Sequence, residues 1–149
     1  NFDFRVIHKK LFRILEPLTK KWSAMDLSTE FIEIDWHDLP VDYLWLDFDA
    51  SKITLQCSEF DDEADEYKPI NIELEGILNF SIRNLRFDNP SGIGDFYDAE
   101  VASLEYEWLA EAEQHRLAFE IVMGISESPA LINVLAKQAR ITRRKRLEG

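Results

Sequence analysis

The sequence is poor in the residues that build covalent and metal-bound sites. Its one cysteine, Cys57, excludes an intramolecular disulfide and an all-cysteine metal site. Its three histidines, His8, His37 and His115, stand at no spacing typical of metal ligands, so we expect neither a metal nor a cofactor. Because it also lacks a Gly-x-Ser-x-Gly elbow and a glycine-rich phosphate loop, we expect a protein that is not an enzyme.

Long apolar runs are also lacking. No stretch approaches the ~20 residues that a helix needs to cross a bilayer, and no signal-peptide pattern is present, although the chain begins with Asn1. A lone cysteine is typical of a reducing compartment. We therefore expect a cytoplasmic protein that does not associate with membranes.

The chain has the size and composition of one globular domain. Its 149 residues are 46% hydrophobic, which is enough for one core and unlike a disordered chain. No linker or internal repeat divides it, so we expect a single domain over residues 1–149.

Charge is distributed unevenly along the chain. Residues 26–128 carry five basic and 26 acidic residues, whereas residues 1–25 and 129–149 are net basic. An acidic body with a net charge of −21 repels phosphate, so nucleic acid is not expected as a ligand. It attracts basic proteins, although an acidic excess also keeps a protein soluble without any partner.

Residues 1–25 are predicted to form an amphipathic helix. Apolar residues recur from Phe4 to Met25 at spacings of three and four, with basic residues on another face and a bend expected at Pro17. Such a helix could lie on a membrane or on a partner, but packing of its apolar stripe on the sheet is favoured. At the other end, residues 143–149 are interpreted as a solvated basic tail, its last three residues resembling a vector-derived junction.

Residues 28–142 are predicted to form a β-rich body, because the hydrophobic period there changes to two. Ile32, Ile34 and Trp36 share one face of a predicted strand, residues 41–58 form a predicted hairpin, and Gly76 marks a bulge, bend or turn. Residues 98–110 fit a strand by alternation and a helix by composition, and we predict a strand. The fold class is thus mainly β (α+β), an antiparallel β-sandwich or open barrel of about eight strands with an N-terminal amphipathic helix. The other predicted strands lie near residues 70–75, 78–82, 117–123 and 130–142.

An acidic loop is the leading candidate for a contact surface. Residues 59–66 contain six carboxylates, but no glycine stands where a calcium-binding loop requires one. Either the loop is simply solvated or it contacts a basic protein. The predicted partner-binding residues are Asp61, Asp62, Glu63, Asp65 and Glu66.

A second candidate is a small-ligand pocket around Trp36, His37 and Asp38, where a predicted strand ends before Pro40. A carboxylate beside an imidazole can orient a general base. No nucleophile accompanies the pair, and a histidine–aspartate pair at a turn commonly serves only to hold that turn.

Several segments together resemble a loosely defined group of small bacterial proteins. They are Asp35-Trp36-His37-Asp38, the hairpin segments 44–47 and 53–55, and residues 72–77 followed by Asn79-Phe80. That group is similar to the immunity proteins of bacterial polymorphic toxin systems. The resemblance implies a protein that binds and blocks a cognate toxin domain, and it carries no site residues over to this chain.

The sequence therefore predicts a non-enzymatic protein-binding module, an acidic immunity-type inhibitor of a basic bacterial toxin. Two alternatives stay open. One is a self-assembling structural domain, in which the basic helix of one copy docks on the acidic body of another to form a homodimer. The other is a small-ligand-binding β-barrel centred on His37 and Asp38.

Overall fold

The computed structural model describes residues 22–84, 99–123 and 129–143, and these form one antiparallel β-sheet with a single short helix among them. In chain order the elements are α1 (Ser28–Ile32), β1 (Val41–Asp47), β2 (Lys52–Asp61), β3 (Glu66–Arg83), β4 (Ala99–Leu109), β5 (Gln114–Met123) and β6 (Ala130–Arg143). The strand order across the sheet is β1-β2-β3-β6-β5-β4. The prediction of a mainly β, antiparallel protein is confirmed.

Two long central strands, β3 and β6, join the β1–β2 side of the sheet to the β5–β4 side. The first half of β3 pairs with β2 on one side and with the end of β6 on the other. Its second half, residues 77–83, pairs with the beginning of β6, which in turn pairs with β5. The register of β3 against β6 shifts between Ile77 and Asn79, next to Gly76 at φ +67°, so the predicted irregularity at Gly76 is confirmed.

The two outer strands meet at one corner. The Asp38 N–H donates to the Val101 carbonyl at 2.8 Å, and the Val101 N–H donates to the Leu39 carbonyl at 2.9 Å. Pro40 and Glu100 form a bridge directly beside them. The chain before β1 is thereby tied to the beginning of β4.

The core lies on one face of the sheet, where alternate residues of every strand are buried. This follows from the period of two in the sequence, since successive side chains point to opposite faces. Cys57 is a buried strand residue, as its alternation predicts. The largest fully buried apolar side chains of this core are Phe119, Leu44, Leu55, Ile70, Ile72, Leu74, Leu117, Ile121 and Ile132.

The opposite face of the β2–β3–β6 half is buried too, but it is polar. Glu73 lies between Arg140, whose Nε donates to Oε2 at 2.8 Å, and Lys52, whose Nζ lies 3.0 Å from Oε1. The ring of Trp22 lies against the Arg140 guanidinium at 4.2 Å. Glu73 and Arg140 are almost completely buried, so this face holds a desolvated ion cluster.

The segment before α1 is fastened to the sheet by backbone and side-chain hydrogen bonds. Ser23 and Ala139 exchange two backbone hydrogen bonds, at 2.9 and 3.0 Å. His115 Nε2 lies 2.9 Å from the Ser23 carbonyl, its Nδ1 lies 2.7 Å from the Tyr106 hydroxyl, and that hydroxyl accepts the Leu27 N–H at 3.0 Å. Two strands therefore hold the same segment through one buried imidazole.

Several predicted elements differ from those observed. The predicted strand through Ile32, Ile34 and Trp36 is wrong: the chain forms α1 and a turn there, with Phe31 stacked on Tyr106 at 4.3 Å. The predicted strands 70–75 and 78–82 form one continuous strand, so the described residues contain six strands rather than about eight. The strand predicted at 98–110 is confirmed as β4.

The predicted N-terminal helix lies outside the described residues up to position 21. Its last four residues, 22–25, are described and are not helical, so the helix does not extend to Met25. Their backbone is drawn instead toward β6 by the pairing of Ser23 with Ala139. Of the predicted basic tail, only Arg143 is described, and it belongs to β6.

Candidate protein-binding surface

The acidic loop of the sequence is the tight turn of the β2–β3 hairpin. Asp61 and Glu66 are the last paired residues, and residues 62–65 form the turn, with Asp65 at φ +52°. A positive φ is tolerated by aspartate better than by most residues. We call residues 60–67 the hairpin tip.

The five predicted contact residues are brought together here but do not share one environment. Asp61 is partly buried: its Oδ1 accepts the N–H groups of Glu63 and Ala64 at 3.0 and 3.3 Å, and its Oδ2 lies 2.5 Å from Lys68 Nζ. Asp61 therefore holds the turn in shape. The remaining four are exposed, namely Asp62, Glu63, Asp65 and Glu66.

Two aromatic rings flank the exposed carboxylates. Phe60 and Tyr67 are cross-strand partners, and their ring centroids lie 5.1 Å apart in an edge-to-face arrangement. Phe60 is 47% exposed and Tyr67 is 61% exposed. Aromatic rings are enriched at the centres of protein interfaces because they bury a large area at little cost in side-chain entropy.

Ion pairs on the other face of the same hairpin brace the tip against the rest of the sheet. Arg143 donates from Nε and Nη2 to the two carboxylate oxygens of Glu59, at 2.5 and 2.8 Å. The neighbouring pair of Lys68 with Asp61 lies on the same side of the hairpin. A braced tip loses less conformational freedom on binding than a flexible loop does.

The residues predicted for a small-ligand pocket are close in sequence but face different surroundings. Trp36 is buried, and its indole N–H donates to the Phe31 carbonyl at 2.9 Å. His37 and Asp38 are exposed; His37 Nδ1 lies 2.9 Å from Asp38 Oδ2, and Asp38 has a φ of +67°. Within the described residues the pair thus forms part of a surface turn, and Trp36 contributes to the core.

Cys57 and His115 are buried and Tyr106 is partly buried, and burial changes the pKa of each. Burial raises the pKa of the Cys57 thiol to about 12, so this cysteine is neither a nucleophile nor a ready metal ligand. Burial lowers the pKa of His115 and raises that of Tyr106 to about 12, which keeps the imidazole neutral and the phenol protonated. Across residues 22–84, 99–123 and 129–143, no cluster of histidine, cysteine, aspartate and glutamate side chains could hold a metal ion.

In the same ranges no helix has the length and apolarity to span a membrane.

Sequence reasoning identified the carboxylates of the tip but missed its rings. Aromatic residues in strands are mostly buried, so the sequence alone does not predict that Phe60 and Tyr67 are exposed. One feature of the sequence indicates that Phe60 is exposed. It stands between Glu59 and Asp61 immediately beside the turn, where the hairpin ends and little of the sheet remains to bury a side chain. The His115–Tyr106 contact had no signal, since the two residues come together only through the β4–β5 register.

Comparison with known proteins gives no relative from which a function could be transferred: no family model, no curated protein and no solved structure matches the chain.

Proposed function

We propose that this chain is a non-enzymatic protein-binding module that captures a basic protein through the hairpin tip, in the manner of an immunity protein blocking a toxin domain. The observation that carries the proposal is the exposed Phe60–Tyr67 pair directly beside a turn with exposed carboxylates. Rings supply buried area, and carboxylates supply attraction to a basic surface. The resemblance to immunity proteins and the acidic body of −21 add support, and the proposal places the chain in the cytoplasm.

The two parts of the tip have separate roles in this proposal. The carboxylates steer a basic partner and set the association rate, which falls as salt rises. The rings, once desolvated against the partner, set the dissociation rate. Because the tip is braced by Glu59–Arg143 and Asp61–Lys68, little ordering is needed on binding.

The proposal is tested first by capture. The wild-type chain is immobilised and incubated at low salt with lysate of its native organism. The proteins that are released as the salt concentration rises are identified by mass spectrometry. We expect a basic protein in stoichiometric amount. That protein, purified, is then the probe for kinetic measurements.

The decisive comparison is between two sets of neutralised acids. Converting Asp62, Glu63, Asp65 and Glu66 to their amides should lower the association rate with the captured protein about 10-fold or more at low salt. The matched control neutralises four exposed glutamates of β4 and the β4–β5 turn, namely Glu100, Glu105, Glu111 and Glu113. If both sets lowered the association rate equally, the tip would act only through the total charge of the protein, and the proposal would be contradicted.

The rings are tested by the dissociation rate. Truncating Phe60 and Tyr67 to alanine should raise it about 10-fold or more, since an interface anchor contributes about 2 kcal/mol. A double alanine variant that dissociates like the wild type would show that the rings stay outside the interface.

A further inference from the structure

The second half of β3 has an open edge at the end of the strand opposite the hairpin tip. β2 ends its pairing with β3 at Lys52 and Glu75, and the Gly76 and Ile77 N–H groups donate to Ser51. Beyond that point β3 pairs with β6 on one side, and on its other side no strand of the described residues accompanies it. An unpaired strand edge offers backbone N–H and C=O groups to another strand.

Along this edge the described residues leave the core face of the sheet partly uncovered. Phe80 stands opposite Val134, and Ile82 opposite Ile132, and both β6 residues are buried. Phe80 and Leu78 are nevertheless exposed. A groove of about 370 Å³ runs beside them, and Phe48, whose ring centroid lies 6.0 Å from that of Phe80, forms its other wall.

The open edge requires a partner strand of a particular pattern. Its apolar residues must alternate with polar ones, so that the former extend the core face and the latter meet Asn79 and Ser81 on the outer face. The strand 78–82 of a second copy, Leu-Asn-Phe-Ser-Ile, has this pattern itself. Antiparallel pairing about Phe80 keeps both copies in phase, because it sets Leu78 opposite Ile82 and Asn79 opposite Ser81.

Charge opposes a second copy less at this edge than on the rest of the acidic body. Residues 76–83 contain no acid and one arginine, whereas residues 26–128 as a whole carry −21. Two acidic bodies repel each other, and contact costs least where the surface of each lacks carboxylates.

We propose that two copies of this chain pair antiparallel through the open edge at residues 78–82, with Phe80 of each copy on the two-fold axis. The interface is isologous, and it sets Ile82 and Phe80 of the second copy beside the exposed Leu78 and Phe80. It is separate from the hairpin tip, so its failure would leave the proposed partner binding untouched.

Cysteine cross-linking tests the register directly. Asn79→Cys and Ser81→Cys are made in separate proteins; the native Cys57 is buried and stays silent. In the proposed dimer, position 79 of one copy faces position 81 of the other, within disulfide reach, while like positions lie diagonally at about 7–8 Å between Cα atoms. We expect a covalent dimer from the mixture of the two variants and little from either alone. No cross-link in the mixture, or equal cross-linking of each variant alone, would overturn the proposal.

Association is measured independently by sedimentation equilibrium of the full chain. Dimerisation should strengthen as salt rises, since salt screens the repulsion of the two acidic bodies. Phe80→Lys should abolish it, whereas Val122→Lys, at a residue that is likewise 36% exposed, should leave it unchanged. A monomer up to millimolar concentration, a dimer that weakens with salt, or a dimer indifferent to Phe80→Lys would each refute the edge interface.

Discussion

Among single residues, His115 uses both of its ring nitrogens to join the sheet to the segment before α1. A backbone carbonyl can only accept, so Nε2–H donates to Ser23, and Nδ1 therefore accepts the Tyr106 hydroxyl proton. This pairing requires a neutral ring, and burial lowers the His115 pKa below its ordinary value of 6.5. The unfolded chain then binds more protons than the folded one as the pH drops below that value.

We expect the free energy of unfolding, measured with urea, to be constant near neutral pH and to fall as the pH drops from about 6.5 toward 5.5. His115→Gln should remove most of this decline, because an amide can replace the hydrogen bonds without titrating. His37→Gln, at an exposed histidine, is the matched control and should retain the decline. Equal pH dependence in the wild type and His115→Gln would assign the effect to other groups.

Glu73 gives a second prediction at this scale, because its carboxylate is buried between two cations. Glu73→Gln leaves Arg140 and Lys52 without their shared anion in a desolvated site. The expected loss is on the order of 3–5 kcal/mol of unfolding free energy by urea titration. Glu107→Gln removes the exposed partner of Arg116, 3.3 Å away, and should cost less than about 1 kcal/mol. Similar losses for both variants would mean that Glu73 is not the centre of an ion cluster.

At the scale of elements, Gly76 gives β3 a backbone conformation of positive φ just before the register shift between Ile77 and Asn79. A Cβ added there would lie 3.1 Å from the Lys137 Cβ, and the φ of +67° is unfavourable for any residue with a side chain. Gly76→Ala should therefore lower the free energy of unfolding by about 1–3 kcal/mol. Asn133→Ala, an exposed residue on the paired strand β6, should change it by less than about 1 kcal/mol. An unchanged free energy of unfolding in Gly76→Ala would show that β3 adopts this backbone conformation without a glycine.

The same scale shows what a sequence pattern can and cannot predict. Strand alternation predicts β2 and the burial of Cys57, because a period of two is a local property. It failed at Ile32 and Ile34, because α1 ends at Ile32 and Ile34 lies in the turn that follows. The observed conformation stacks Phe31 on Tyr106, a contact distant in sequence that a local period cannot predict. The open edge of β3 was also beyond prediction, since it depends on where β2 ends its pairing.

For the whole molecule, charge and fold together place two different kinds of surface at the two ends of β3. The hairpin tip is acidic and carries two exposed aromatic rings, and we expect its binding to a basic protein to weaken as salt rises. The open edge carries no acid, and we expect its pairing to strengthen with salt. Composition predicted the acidic body, but it could not predict which carboxylates hold the turn and which face solvent. Asp61 is the example, since its contact with Lys68 follows from the hairpin register.

The length of β3 has a consequence for the number of partners that one assembly can hold. Tyr67 at the tip and Phe80 at the open edge are 13 residues apart on one strand, which spans at most roughly 45 Å. A pair of chains joined at Phe80 would thus display two tips, directed away from each other and well separated. Such an assembly is bivalent: it could engage two basic molecules at once, or hold one oligomeric target with an avidity that neither tip has alone.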